Sequence, residues 1–173
     1  MRLFFPAVLA AFALAACNPT FNWRDVRPEG SPLALLMPCK PDKAQKTVTF
    51  AGQATELRLL SCDAGGVTFA LAVADMQNAS QVAAALAQWQ SATLANMQAT
   101  PGTPSTPDSV IKLPGLKSNG VLVKANGKRA NGQAVSSQAA YFAQGSQVFQ
   151  AVMYADSLTP DVADTFFSGL KFE

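Results

Sequence analysis

The feature that most constrains the fold is an alternation of period two that begins after a short turn, Ala51-Gly52-Gln53. Leu57 and Leu59 point one way and Glu56 and Arg58 the other. Asp63-Ala64-Gly65-Gly66 interrupts, and Val67, Phe69, Leu71 and Val73 then alternate again with small residues between them. Side chains on alternate sides every second residue are the geometry of a strand. Paired glycines supply the positive φ of a tight hairpin turn. This stretch therefore predicts antiparallel β-sheet, entered by short apolar runs at Leu33–Met37 and Thr47–Phe50.

The period then changes. Ala79, Val82, Leu86, Trp89, Thr93 and Met97 share one helical face, with Asn78 or Ser80 as cap and glutamines on the polar side. Residues 100–108 are rich in Pro, Thr and Ser and read as an exposed loop. The second half returns to β. Val121–Val123 is a strand, Asn126-Gly127 and Asn131-Gly132 are both hairpin dipeptides of which one need turn, and Gly145-Ser146 is another turn. In Gln147–Ala155, Val148, Val152 and Tyr154 face one side and Phe149, Ala151 and Met153 the other. Apolar residues on both sides imply a strand covered on both faces. A last helix starts at Thr159-Pro160-Asp161, with Val162, Phe166 and Leu170 as its apolar stripe. The expected fold is α+β: an antiparallel sheet with helices packed on its faces, an α/β/α sandwich.

The amino terminus belongs to something else. Arg2 is followed by an apolar run from Leu3 to Ala16. That run is shorter than the ~20 residues a bilayer span takes, and with a basic start and small residues at its end it describes a secretory signal. Leu14-Ala15-Ala16-Cys17 resembles the lipobox of bacterial lipoproteins. The resemblance implies a diacylglycerol on the Cys17 thiol, cleavage before Cys17 and acylation of the new amino group with a chain such as palmitate. Two or more acyl chains anchor stably. Asn18 in place of Asp implies sorting to the outer membrane, facing the periplasm. The expected organisation is a signal peptide over 1–16, a lipidated tether over 17–32 and one α+β domain over 33–173 with the Pro-rich loop inside it.

Composition narrows the chemistry. There is no histidine, so imidazole-based zinc sites, triads and general bases are excluded. A formal charge of +2 gives no field that selects nucleic acid. With Cys17 acylated, Cys39 and Cys62 are an even pair in an oxidising compartment and read as a disulfide. The alternatives are two free thiols or a redox pair. No nucleotide loop or nucleophile elbow is present. Asp156, Asp161 and Asp164 form the densest acidic set, and helix capping accounts for them, so neither a metal nor a cofactor is expected. The candidate contact residues are Trp23, Arg24 and Arg27 in the tether, and Lys124, Lys128 and Arg129 as a basic hairpin tip. For Phe21 and Trp23, packing on the domain edge is the favoured reading over contact with headgroups or a partner. Three prolines and a glycine in 18–32 oppose regular structure there, allowing a reach of roughly 50 Å.

Several phrases carry a wider resemblance: Met37-Pro38-Cys39-Lys40-Pro41, Ala139-Ala140-Tyr141-Phe142, Val148-Phe149-Gln150, and Ala163 to Leu170 in the last helix. With the element order, 33–173 resembles the PsbP-like, Mog-type sandwich found in small bacterial lipoproteins. Members of that group act mainly as binding or assembly factors, among them photosystem accessory proteins and a partner of a small nuclear GTPase. The resemblance implies a non-catalytic binding or assembly module of the cell envelope, with an envelope protein as partner. The alternative is a carrier of a small apolar or lipid ligand, in a sheet–helix pocket lined by Phe69, Trp89, Met97 and Phe149.

Overall fold

Strong β-formers pair wherever a turn brings them together, and in the computed structural model they build two antiparallel sheets. The structure describes residues 19–99 and 109–173; Cys17, the apolar run before it and the Pro-rich loop lie outside them. In chain order the strands are β1 (Arg24–Val26), β2 (Leu33–Met37), β3 (Asp42–Phe50), β4 (Gln53–Ala64) and β5 (Val67–Asp75). A short 3-10 turn over Ala79–Gln81 leads into helix α1 (Val82–Asn96). Then come β6 (Ser109–Ile111), β7 (Gly120–Lys128), β8 (Ala134–Gln144), β9 (Gln147–Ala155), helix α2 (Pro160–Ser168) and β10 (Lys171–Phe172). The large sheet runs β3-β4-β5-β9-β8-β7-β6 and the small one β1-β2-β10. The fold is α+β, as expected.

The two-residue turn at Gly65-Gly66 has φ of 59° and 75°, the left-handed pair that matches strand twist. It sets the register that places Leu60 opposite Leu71 and Cys62 opposite Phe69. Strands β5 and β9 form the centre, and each buries both faces. Phe69, Leu71, Val73, Phe149, Ala151 and Met153 lie on one side, under α2 and the small sheet. Ala72, Ala74, Val148 and Val152 lie on the other, under α1. Helix α2 takes Thr159 as N-cap in extended conformation with Pro160 at the first position, though the Thr159 hydroxyl makes no capping bond.

Three sequence expectations are corrected and one left open is decided. Residues 18–32 are not wholly irregular, because Arg24–Val26 pairs with Leu35–Met37 as β1. Phe21 and Trp23 are half-buried and packed on the core, so this part of the stretch read as a tether lies against the domain. Leu33–Met37 joins the small sheet, not the large one, sandwiched so that Leu33, Ala34, Leu35 and Met37 are fully covered. β3 starts at Asp42 and not Thr47. Its residues 42–47 are exposed at a sheet edge, so no hydrophobic alternation marks them. Of the two hairpin dipeptides, Asn131-Gly132 turns, with the Gly132 amide donating to the Arg129 carbonyl. Asn126-Gly127 is strand: Gly127 lies so close to Met97 that a Cβ there would collide with the Met97 carbonyl.

Cys39, just after β2, and Cys62, in β4, form a disulfide with Cα atoms 6.0 Å apart. It joins the small sheet to the large one.

Candidate functional site

Between α1 and the sheet lies a cleft of about 380 Å³. Its floor comes from Leu57 and Leu59 of β4, Ala72 of β5, Val135 of β8, and Gln150 and Tyr154 of β9. The roof is Trp89, Thr93, Asn96 and Met97. Three of these four are stripe residues of the predicted helix, spaced to share the face turned to the sheet. Lys46, Lys128, Arg129 and Ala130 complete the lining, which contains no carboxylate. Lys46 faces Leu57 across the β3–β4 ladder and so shares its side of the sheet.

A polar chain holds the helix over this floor. The Gln150 amide donates to the Thr93 hydroxyl at 2.9 Å and to the Tyr141 hydroxyl at 3.0 Å. Thr93 in turn donates to the Trp89 carbonyl at 2.9 Å. Gln150 is buried, and a buried amide requires such partners. At the other side of α1, Gln88 accepts from the Ala51 amide at 2.7 Å and donates to the Thr49 carbonyl, pinning the helix to the β3–β4 turn. Trp89 is 7% exposed and sits 5.0 Å from the Phe50 ring, so it belongs to the core as well as to the cleft lining.

Two phenols border the site. Burial pushes Tyr154 up to about 12, with the neighbouring Tyr141 adding to the effect. Tyr141 is raised by burial too, against which its bonds to Thr93 and Gln150 act. Among the described residues the Tyr154 hydroxyl has no hydrogen-bond partner. The neutral groups of the cleft therefore stay neutral at pH 7, and its charges are cationic. Such a set can recognise a ligand by shape, hydrogen bonding and charge.

The residues singled out from sequence do not gather into one site. Trp23 stacks on Phe21 at 5.9 Å and meets Phe69 edge-on at 5.9 Å, the packing reading given for it above. Arg24 donates to the Asn22 carbonyl at 3.4 Å. Arg27 pairs with Glu173 at 2.5 Å and lies 3.7 Å from Asp25. The hydrogen bond and the opposite charge raise the Arg27 guanidinium, and Glu173, bonded to Lys171 and Arg27, is held below the usual carboxylate range. Arg27 also lines a smaller cavity of about 260 Å³ with Lys43 and Arg58. The basic trio divides: Arg129 borders the cleft, whereas the side chains of Lys124, opposite Gln138 on β7, and of Lys128, four residues on, alternate away from Val123 and the α1 side; Lys128 reaches α1 through its backbone amide, which donates to the Met97 carbonyl.

The expected carrier pocket is half corrected. Trp89 and Met97 line the cleft, but Phe69 and Phe149 lie on the opposite face of the sheet, in the core under α2. Residues on opposite faces of one sheet cannot share a pocket. Sequence reasoning passed over Lys46, Asn96 and Gln150. Gln150 had a signal: a glutamine inside a strand that is apolar on both sides must find a buried partner. Among the described residues, no three of His, Cys, Asp and Glu come together as a metal site. Asp156 lies 3.6 Å from Arg129, and Asp161 occupies the first turn of α2.

No known protein family and no curated protein matches the chain. A solved crystal structure of a Bacteroides thetaiotaomicron protein is similar to it with a TM-score of 0.47 and 14% sequence identity. The match covers 82% of this chain and 45% of the other, so this chain spans less than half that protein's length.

Proposed function

We propose that this protein is a lipoprotein of the bacterial outer membrane, anchored through acyl chains on Cys17 and facing the periplasm, that acts as a non-catalytic binding module with a PsbP-like, Mog-type domain. The observation that carries the binding role is the cleft between α1 and the sheet: a mainly apolar floor, a buried Thr93–Gln150–Tyr141 polar chain and a cationic lining. Largely apolar concavities with a few convergent polar groups are the usual form of ligand sites. The lipobox-like Leu14-Ala15-Ala16-Cys17 supports the anchoring, and the oxidised Cys39–Cys62 pair fits a periplasmic location. The absence of histidine, with no carboxylate in the cleft, supports a role without catalysis.

The test places a photo-crosslinking amino acid at Asn96, which is exposed and lines the cleft, in living cells. A control variant carries it at Lys117, also exposed and outside the cleft lining. Capture of a discrete adduct from position 96 and not from 117 is expected, either as a small mass increment or as an envelope protein. No adduct specific to position 96 would overturn the reading.

A further inference from the structure

The cleft's walls and its charges ask for different parts of one ligand. Leu57, Leu59, Val135 and Met97 offer apolar surface that gains by excluding water. The Lys46 and Arg129 side chains border the same volume, with no acidic residue in the lining to neutralise them. Lys46 is exposed and makes no ion pair among the described residues. Arg129 is 3.6 Å from Asp156, but the Asp156 side chain is 91% exposed. Solvent screens such a pair, which leaves the guanidinium available for exchange. Tyr154, half-buried in the same lining, adds a hydroxyl without a partner among the described residues, a donor for an oxyanion. A volume of about 380 Å³ sits near the lower end of small-molecule sites. That suits one chain and not the paired chains of a phospholipid.

Resting on the reading of the cleft as a binding site, we propose that it takes a single-chain amphiphile with an anionic head, of the fatty-acid class. The chain lies between Trp89 and Met97 above and Leu57 and Leu59 below, and the head is held by Lys46 and Arg129. A cationic head would meet two like charges, and a neutral one would leave them unused.

The test uses the full chain in phosphatidylcholine vesicles, photolabelled with a diazirine-bearing dodecanoate or the matching dodecanol. Labelled peptides are mapped by mass spectrometry. Dodecanoate is expected to label residues 89–97 and β9. Lys46→Gln and Arg129→Gln, both at the cleft border, should each lower that yield about tenfold, the loss of one charge-assisted contact. Neither should change dodecanol labelling or the thermal unfolding midpoint. Equal labelling of the cleft by dodecanol and dodecanoate overturns the anionic head. Full dodecanoate yield in both variants overturns the assignment of Lys46 and Arg129. No labelling of the cleft by either probe overturns the ligand class, and an adduct captured at Asn96 in cells would then show that the binding reading itself survives.

Discussion

Tyr154 and Gln150 face the same side of β9, and each deals with burial differently. Gln150 places its amide between two hydroxyls, whereas the Tyr154 hydroxyl has no such partner among the described residues. A phenol desolvated without compensation resists ionisation, because the charged form loses most by burial. The folded value of about 12 lies above the ordinary 10 of an unfolded tyrosine. The unfolded chain therefore releases the proton first. The stability this group contributes is complete below pH 10 and is lost as pH rises from 10 toward 12. Urea midpoints measured between pH 8 and 11.5 should fall less steeply in Tyr154→Phe than in the parent chain. Identical slopes would show that this phenol is not held neutral by the fold. At pH 7 the same substitution should cost little, since it removes a hydroxyl that bonds to nothing described.

Helix α1 illustrates how an element can be recognised correctly for an incomplete reason. The stripe from Ala79 to Met97 predicts a helix with a polar outer face; the α-helix forms over Val82–Asn96, while Ala79 lies exposed in the 3-10 turn before it. Its outer face, however, is largely alanine: Ala83, Ala84, Ala87, Ala92 and Ala95 are exposed. The contrast between faces is weak, and alanine's helix propensity does much of the specifying. The end of the element is decided by β7, where the Lys128 amide donates to the Met97 carbonyl at 2.6 Å. Gly127 permits that approach. Gly127→Ala should force helix and strand apart and destabilise by about 1–3 kcal/mol, the usual range for overpacking. Because Met97 and Lys128 both line the cleft, the same change should alter photo-capture at position 96. A variant with unchanged denaturant midpoint and unchanged capture would show that the contact does not matter.

At the scale of the whole molecule, the two ends of the described chain meet in the small sheet. β1 and β10 flank β2, the Phe172 amide donates to the Pro114 carbonyl, and Arg27 reaches Glu173. Phe172 sets its ring edge-on to Phe142 and Phe149, so the small sheet and the large one share one core. The Cys39–Cys62 bridge closes a loop with a sequence separation of 23 and ties these layers covalently. In the chain-entropy account such a loop contributes roughly 3 kcal/mol. Replacing both cysteines by serine should lower unfolding free energy by about that amount in denaturant titrations. An unchanged midpoint would show that packing alone joins the layers. If the bridge mainly restrains the layers on the α2 side, photo-capture at position 96, on the α1 side, should persist in folded protein.

What the sequence determined by itself was everything governed by local period and turn chemistry. The central hairpin, the covering of β9 on both faces, the two helices and the α+β class follow from alternation, paired glycines and caps, which act between near neighbours. The pairing of Cys39 with Cys62 was also expected, because with Cys17 read as acylated only these two cysteines remain to pair. Tertiary structure decided the rest. Residues 42–47 carry no pattern, since an edge strand is specified by its partner β4 and not by burial. Which asparagine–glycine pair turns depended on where Met97 arrives. The small sheet needed residues 24–26 and 171–172, too short to signal alone and held by β2. The cleft needed Lys46, Trp89, Arg129 and Gln150 from distant parts of the chain, and its membership followed sheet face. That is why Phe69 and Phe149, plausible by residue type, fell on the other side.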